Sequence, residues 1–260
     1  MASGSGTRQG DLVATLATLA GLILAWEFSV WWFAPPPIIL PAPSRILHEF
    51  MDTPGYFLRQ ARFTLGTTLA GFGLSVVLGV ALAVAIVASR VLDRLITTVL
   101  VVLNSLPKVA LAPLFVIWLG TGVEPKIAIA VMLAVFSIVA DVALGLRSVD
   151  PDALALARVH RAGAWRTLWK IRFPNALPAL FVGMKVAISF ALVGAIVGEF
   201  VGGSSGLGHA ILIAQGQFDT PRVFAALVVL AIMGTVLFYG IEALERLALP
   251  WHVSQRAPHA

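Results

Sequence analysis

The chain has 260 residues, 59% of them hydrophobic and 12% charged, where ordinary soluble domains carry about 25% charge. So much apolar surface excludes a water-soluble globule and makes lipid the solvent. The formal charge of +5 is spread between apolar runs, which excludes a nucleic-acid-binding domain, and the lack of cysteine excludes disulfides and thiolate metal sites.

The N-terminal stretch carries one arginine before a long apolar run, and no A-x-A-like cleavage site follows, so it reads as a retained membrane helix. This first span, about residues 12–33, meets the ~20 residues that a bilayer core requires. Trp26, Trp31 and Trp32 mark its far interface. The run Pro35–Pro43 (PPPIILPAP) cannot be helical. A short surface helix, Ser44–Met51, then restarts the chain with Ser44 as its cap.

The second span, about 63–88, holds Gly66, Gly71, Gly73 and Gly79, so neighbouring backbones can approach it closely. The third, about 94–119, is interrupted at Pro107 and Pro113, and the fourth runs over about 125–146. The fifth, about 177–200, has Gly194 and Gly198 at GxxxG spacing, and the sixth covers about 223–247. The expectation is an all-α membrane protein of six transmembrane helices forming one domain.

Between spans four and five lies the longest polar excursion, Asp150–Pro178. Arg158, Arg161, Arg166, Lys170 and Arg172 alternate with Ala, Leu and Trp at spacings of three and four, which predicts two short amphipathic helices across about 150–173. Asp150 caps the first of them, with Pro151 in its first turn. Leu154, Val159, Trp165, Leu168 and Trp169 offer apolar knobs for a cleft, and the arginines suit an acidic rim. Anchoring to lipid headgroups is the alternative role for these cations.

With both termini inside, the inner segments hold Arg8, Arg90, Arg94, Arg147, Arg158, Arg161, Arg166, Lys170, Arg172, Arg246 and Arg256. The outer ones hold Arg45, Arg59, Arg62, Lys126 and Arg222. This excess places the polar excursion in the cytoplasm.

Charges inside spans are costly and call for a reason. Lys108 lies roughly 21 Å along the third span at ~1.5 Å per residue. It either faces a translocation path and attracts an anion, or satisfies carbonyls freed by Pro107. Asp141 has Arg147 six positions on and reads as a local ion pair or a helix contact, with the path as the functional alternative. Glu199 caps the following turn, contacts a neighbouring helix or serves a gate. Glu27 is an interfacial packing residue, and Lys185 snorkels inward. No G-x-x-x-x-G-K-[ST] motif is present to cradle ATP phosphates. His48, His160, His209, His252 and His259 have no metal-ligand spacing, and Ser137 and Ser189 have no nearby His and Asp.

Several stretches together resemble the permease subunits of bacterial ABC importers, specifically the sulfonate, taurine and nitrate type. These are Trp26-Glu27, LPAPSRIL at Leu40–Leu47, SLPKVALAPLFVIWLGTG at Ser105–Gly122 and GLRSVDPD at Gly145–Asp152. The polar excursion, which resembles that family's EAA loop, and Glu199 with GLG at Gly206–Gly208 complete the set. The loop's Glu-Ala-Ala falls on Ala155, Leu156 and Ala157 and its glycine on Arg161, with Gly163 two positions later, so the acidic residue is absent and the glycine displaced.

The resemblance implies a type I importer (MetI-like) permease fold in the bacterial inner membrane, multi-pass, with both termini cytoplasmic. It implies a homodimer with two cytoplasmic ATP-binding subunits, which hold ATP and Mg, and an extracytoplasmic solute-binding protein. This chain itself would bind no cofactor or metal and would not be an enzyme. Ala155, Ala157, Arg158, Arg161, Gly163, Trp165, Arg166 and Pro174 would couple to the ATPase, and Lys108, Asp141 and Glu199 would belong to the path. The substrate would be a small anion such as an aliphatic sulfonate, taurine or nitrate, with uncharged or cationic heterocycles as the alternative. The rival reading is an ion-gradient-driven transporter or a membrane-embedded enzyme, which needs paired intramembrane carboxylates or broken-helix ion sites.

Overall fold

In the computed structural model, residues 4–250 are described, and every regular element among them is helical. Arg8, His252, Arg256 and His259 lie outside the residues whose side chains are described. The helices are α1 (Gly4–Phe33), α2 (Pro43–Asp52), α3 (Pro54–Ala88), α4 (Arg90–Ser105), α5 (Ala112–Leu119) and α6 (Glu124–Arg147). Then follow α7 (Pro151–Val159), α8 (Ala164–Thr167), α9 (Phe173–Gly202), α10 (Leu207–Gly216) and α11 (Thr220–Ala248).

Four continuous helical stretches are long and apolar enough to cross a membrane: α3, α6, Ala164–Gly202 and α11. The α4–α5 pair makes a fifth candidate, and α1 adds the apolar stretch Ala17–Phe33. All six expected segments are therefore helical, but the third differs from its expected form. It bends by 89° between Ser105 and Lys108, with a 3-10 turn over Lys108–Leu111. Pro107 lies at the bend. Pro113 breaks nothing, because it sits in the first turn of α5, where a missing N–H costs no helical bond. The depth counted for Lys108 along a straight helix therefore ends at Ser105.

The residues form two compact units. One contains the chain up to Leu58 and Ala210–Val229. Here α2 differs from expectation: its N-cap is Ala42, and Ser44 lies inside the helix. Glu27 of α1 accepts hydrogen bonds from the Ser44 N–H (3.0 Å) and hydroxyl (2.7 Å), so it satisfies a first-turn donor from outside the helix. Arg222 donates to Glu49 at 2.8 Å, and Thr220 donates to the Ile38 carbonyl at 2.7 Å.

The other unit contains Arg59–His209 and the chain from Leu230 on. Its core is the packing of α6 against α9. Ala130, Ala134, Ile138, Val142 and Leu146 meet Ala176, Phe181, Ala187, Ile188 and Ala191, with Phe72 and Ala83 of α3 in the same cluster. Small side chains let the backbones touch. A Cβ at Gly194 would lie 2.5 Å from Ala130 Cα, and one at Gly198 would lie 2.8 Å from Lys126 Cα, so the GxxxG pair is the contact itself. On α3, Gly71 and Gly79 meet Ala130 and Ile138, whereas Gly66 and Gly73 have open space.

Candidate translocation and coupling sites

The polar excursion is built as the sequence suggests at its start and differently at its end. Asp150 caps α7 by accepting from the Asp152 N–H at 2.8 Å. At the other end of α7 the Arg161 N–H donates to Arg158 O and the Ala162 N–H to Ala157 O, both at 2.9 Å. This is the Schellman arrangement, which requires a left-handed residue just beyond the helix. Arg161 takes that role at φ 51°, while Gly163, at φ −63°, precedes α8 in extended geometry. The left-handed residue thus stands at the position where the sequence comparison puts the loop's glycine, although an arginine occupies it.

The second expected short helix is not a separate element. Helix α8 continues through a π-helical turn, Leu168–Arg172, into α9, giving one helical stretch over Ala164–Gly202. Pro174 lies in the first turn of α9 and does not divide the stretch. Trp165, Trp169 and Phe173 follow one another with ring centroids 5.5 and 4.9 Å apart. Trp165 is 70% exposed and Val159 78% exposed; Leu156, Ala155, Arg158, Arg161, Gly163 and Arg166 are exposed as well, while Ala157 is buried. The base is fastened to α6: Arg172 donates to Leu146 O, and Asn175 to Gly145 O and the Ser148 hydroxyl, each at 3.1 Å.

Lys108 is half-buried beside the bend. Its amine donates to the Asn104 side-chain oxygen at 2.7 Å and lies 5.7 Å from the centre of the Phe136 ring. The carbonyls freed near Pro107 are not its partners. Asp141 does not pair with Arg147, which instead reaches Asp93 of α4 at 2.8 Å. Asp141 is half-buried against α9, where Gly183 leaves room for its carboxylate: a Cβ there would lie 3.1 Å from Oδ2. Lys185 does not snorkel. It forms an ion pair with Glu245 of α11 at 2.5 Å.

Glu199 is fully buried. Its carboxylate accepts from the Thr64 hydroxyl (2.8 and 3.1 Å) and from the Gly208 N–H (2.8 Å). The Leu207 N–H donates to Thr64 Oγ1 at 2.8 Å, and the Gly206 N–H to Gln60 Oε1 at 2.7 Å. Gly206 is left-handed at φ 108°, and any Cβ there would run into the Glu199 carboxylate. Glu199 therefore does both things expected of a structural group, capping the turn and tying α9 to α3. Lys126, assigned to an outer segment from sequence, is 1% exposed and donates to the carbonyls of Thr121, Gly122 and Gly202. Thr64, Gln60, Lys126 and Glu245 were missed by the sequence reading. A visible signal was the polar stripe Gln60, Thr64, Thr67 and Thr68, at helical spacing in an apolar helix. Among the described residues no His, Asp and Glu group could hold a metal ion.

Apolar helices long enough to cross a membrane, tight glycine contacts and an exposed basic helical loop between two of them define a polytopic membrane protein. The sequence comparisons give its family. Residues 75–248 match the family described as the binding-protein-dependent transport system inner membrane component, and the chain belongs to that family. It is 32% identical to the formylaminopyrimidine transport permease protein ThiX of Halalkalibacterium halodurans, over 90% of this chain and 94% of that one. It is 34% identical to the riboflavin transport system permease protein RibX of Chloroflexus aurantiacus, over 91% and 89%. The putative aliphatic sulfonates transport permease protein SsuC of Bacillus subtilis is 28% identical over 83% and 79%. A chain in the inward-facing structures of the MetNI methionine ABC transporter superposes with a TM-score of 0.66 at 20% identity, covering 75% of this chain and 97% of that one. The fold is the MetI-like permease fold, and the protein is a multi-pass transport subunit rather than an enzyme.

Proposed function

We propose that this chain forms the translocation path of an ATP-driven importer and works as a homodimer by alternating access. Its partners are two cytoplasmic ATP-binding subunits, which carry ATP and Mg, and an extracytoplasmic solute-binding protein. The observation that carries this reading is the α7–α8 pair. It exposes Val159, Leu156 and Trp165 among arginines while its base is bonded to α6, so a partner that grips it can move the packed core. Ala155, Ala157, Arg158, Arg161, Gly163, Trp165, Arg166 and Pro174 make up this coupling element. A cytoplasmic position for it, with both termini inside, is supported by the Lys and Arg distribution. That asymmetry sharpens once the buried Lys126 is removed from the outer side, which keeps Arg45, Arg59, Arg62 and Arg222.

A planar nitrogen heterocycle is the first reading of the substrate, because two relatives above 30% identity are named for formylaminopyrimidine and riboflavin. A small anion such as an aliphatic sulfonate, taurine or nitrate is the second, favoured by Lys108 at the bend. Lys108 and Asp141 are the path residues of this proposal, and Glu199 supports the path from behind.

Since the chain has no cysteine, a single Val159→Cys substitution gives an unambiguous cross-linking site. Adducts to a co-expressed ATP-binding subunit are expected. Their absence while ATP-driven uptake continues would defeat the coupling assignment. Uptake that resists vanadate and collapses with an ionophore would favour the ion-gradient rival.

A further inference from the structure

The cavity in the first unit belongs to none of the roles above. It encloses about 450 Å³ where α1 ends and the proline-rich turn leads into α2. Its walls are polar and apolar in nearly equal share: Trp31, Pro35, Pro37 and Leu40 are among the apolar residues, and two charged side chains line it, Glu27 and Arg45. A volume of this size is within the ~300–1,000 Å³ of small-molecule sites.

Three features limit what can occupy it. The first is depth. Phe28, Trp31 and Trp32 cluster at this end of α1, with Phe28 stacked on Trp32, and are exposed, the pattern of an aromatic belt at a membrane–water interface. The second is rigidity. The turn contains Pro35, Pro36 and Pro37, and Ala34 is held left-handed at φ 43°, so the wall is preformed. The third is charge. The Arg45 guanidinium has no hydrogen bond or ion pair among the described residues. Glu27 uses its two oxygens on Ser44, but a carboxylate has about four acceptor positions and can take a further donor. The site thus offers one exposed cation without a protein partner among the described residues, one carboxylate with acceptor capacity, and a partly apolar wall beside the aromatic belt.

We propose that this cavity is a binding site for a zwitterionic, amine-bearing phospholipid of the phosphatidylethanolamine type. The phosphate takes Arg45, the ammonium donates to Glu27, and the glycerol and first acyl carbons lie against Trp31, Pro37 and Leu40. An anionic lipid satisfies Arg45 but meets the Glu27 carboxylate unfavourably. A choline lipid has the right charges but no N–H to donate.

The test is native mass spectrometry of the full chain purified in detergent and supplemented with phosphatidylethanolamine, phosphatidylglycerol or phosphatidylcholine. A charge-assisted hydrogen bond predicts roughly tenfold greater retention of phosphatidylethanolamine than of either other lipid. Arg45→Ala should lose retention of both phosphate-bearing competitors and phosphatidylethanolamine. Glu27→Gln keeps an acceptor for Ser44 and should lose only the preference between headgroups. Unchanged thermal unfolding in both variants separates loss of lipid from loss of fold; if unfolding shifts, Arg45→Gln is read instead. Equal retention of the three lipids, or retention unaffected at Arg45, overturns the proposal. So does occupancy by a segment of a second copy, read as a cross-link from Leu40→Cys to another chain.

Discussion

The two ends of the continuous helical stretch Ala164–Gly202 are finished in opposite ways. At the Gly202 end, the Glu199 carboxylate, the Thr64 hydroxyl and the N–H groups of Leu207 and Gly208 all find partners within the chain, and Gly206 is shaped to the space that remains. At the other end, Trp165 and Val159 are left in solvent and the turn is closed by an arginine in a glycine conformation. A buried polar group is expensive without a partner, so the first end must be completed by this chain alone. The second end is the one that the proposed ATP-binding subunit would complete.

The contrast can be broken by substitution, beginning at the closed end. Glu199→Leu leaves the Gly208 N–H and the Thr64 hydroxyl without their acceptor and should cost about 2–5 kcal/mol, read as a lower unfolding temperature in detergent. Glu199→Gln should recover more than half of that loss, and equal losses for the two variants would argue against the network. Gly194→Ala forces a Cβ onto the Ala130 backbone and should cost about 1–3 kcal/mol in the same measurement.

At the open end the effects on stability should be smaller. Trp165→Ala should lower ATP-driven uptake by roughly tenfold, about 1.4 kcal/mol of coupling, with the unfolding temperature nearly unchanged. If stability falls and coupling does not, the ring is a packing residue. Arg161→Gly removes the strain of a left-handed arginine and should stabilise the α7 turn by about 0.5–1 kcal/mol. Hydrogen exchange of the Ala162 amide, bonded to Ala157, reads that change directly.

The membrane class, the order of the helices and the position of the basic loop were legible, because apolar runs and the Asp150-Pro151 start signal are local features. The GxxxG pair was legible for the same reason. The 89° bend was not, since a proline announces a break without giving its angle. Partners distant in sequence were hidden too. Lys126 looked like an outer-loop cation because only the fold brings the Gly202 carbonyl to it, and Arg147 pairs across to Asp93 rather than along its own helix to Asp141. Arg161 shows a third kind of limit: the position demands a backbone conformation that its side chain does not announce.

The π-helical turn at Leu168–Arg172 has a mechanical meaning. Ala164–Gly202 is 39 residues, a shaft of roughly 58 Å at ~1.5 Å per residue, and the turn is where its winding changes. Deleting one residue there would restore ordinary winding and leave Trp165 and Glu199 in nearly the same angular register, because the wider turn takes up one extra residue per turn. The wider turn thus acts as a slack link: it holds one residue more than the winding needs and still keeps the exposed tryptophan and the buried carboxylate on their two faces of the shaft.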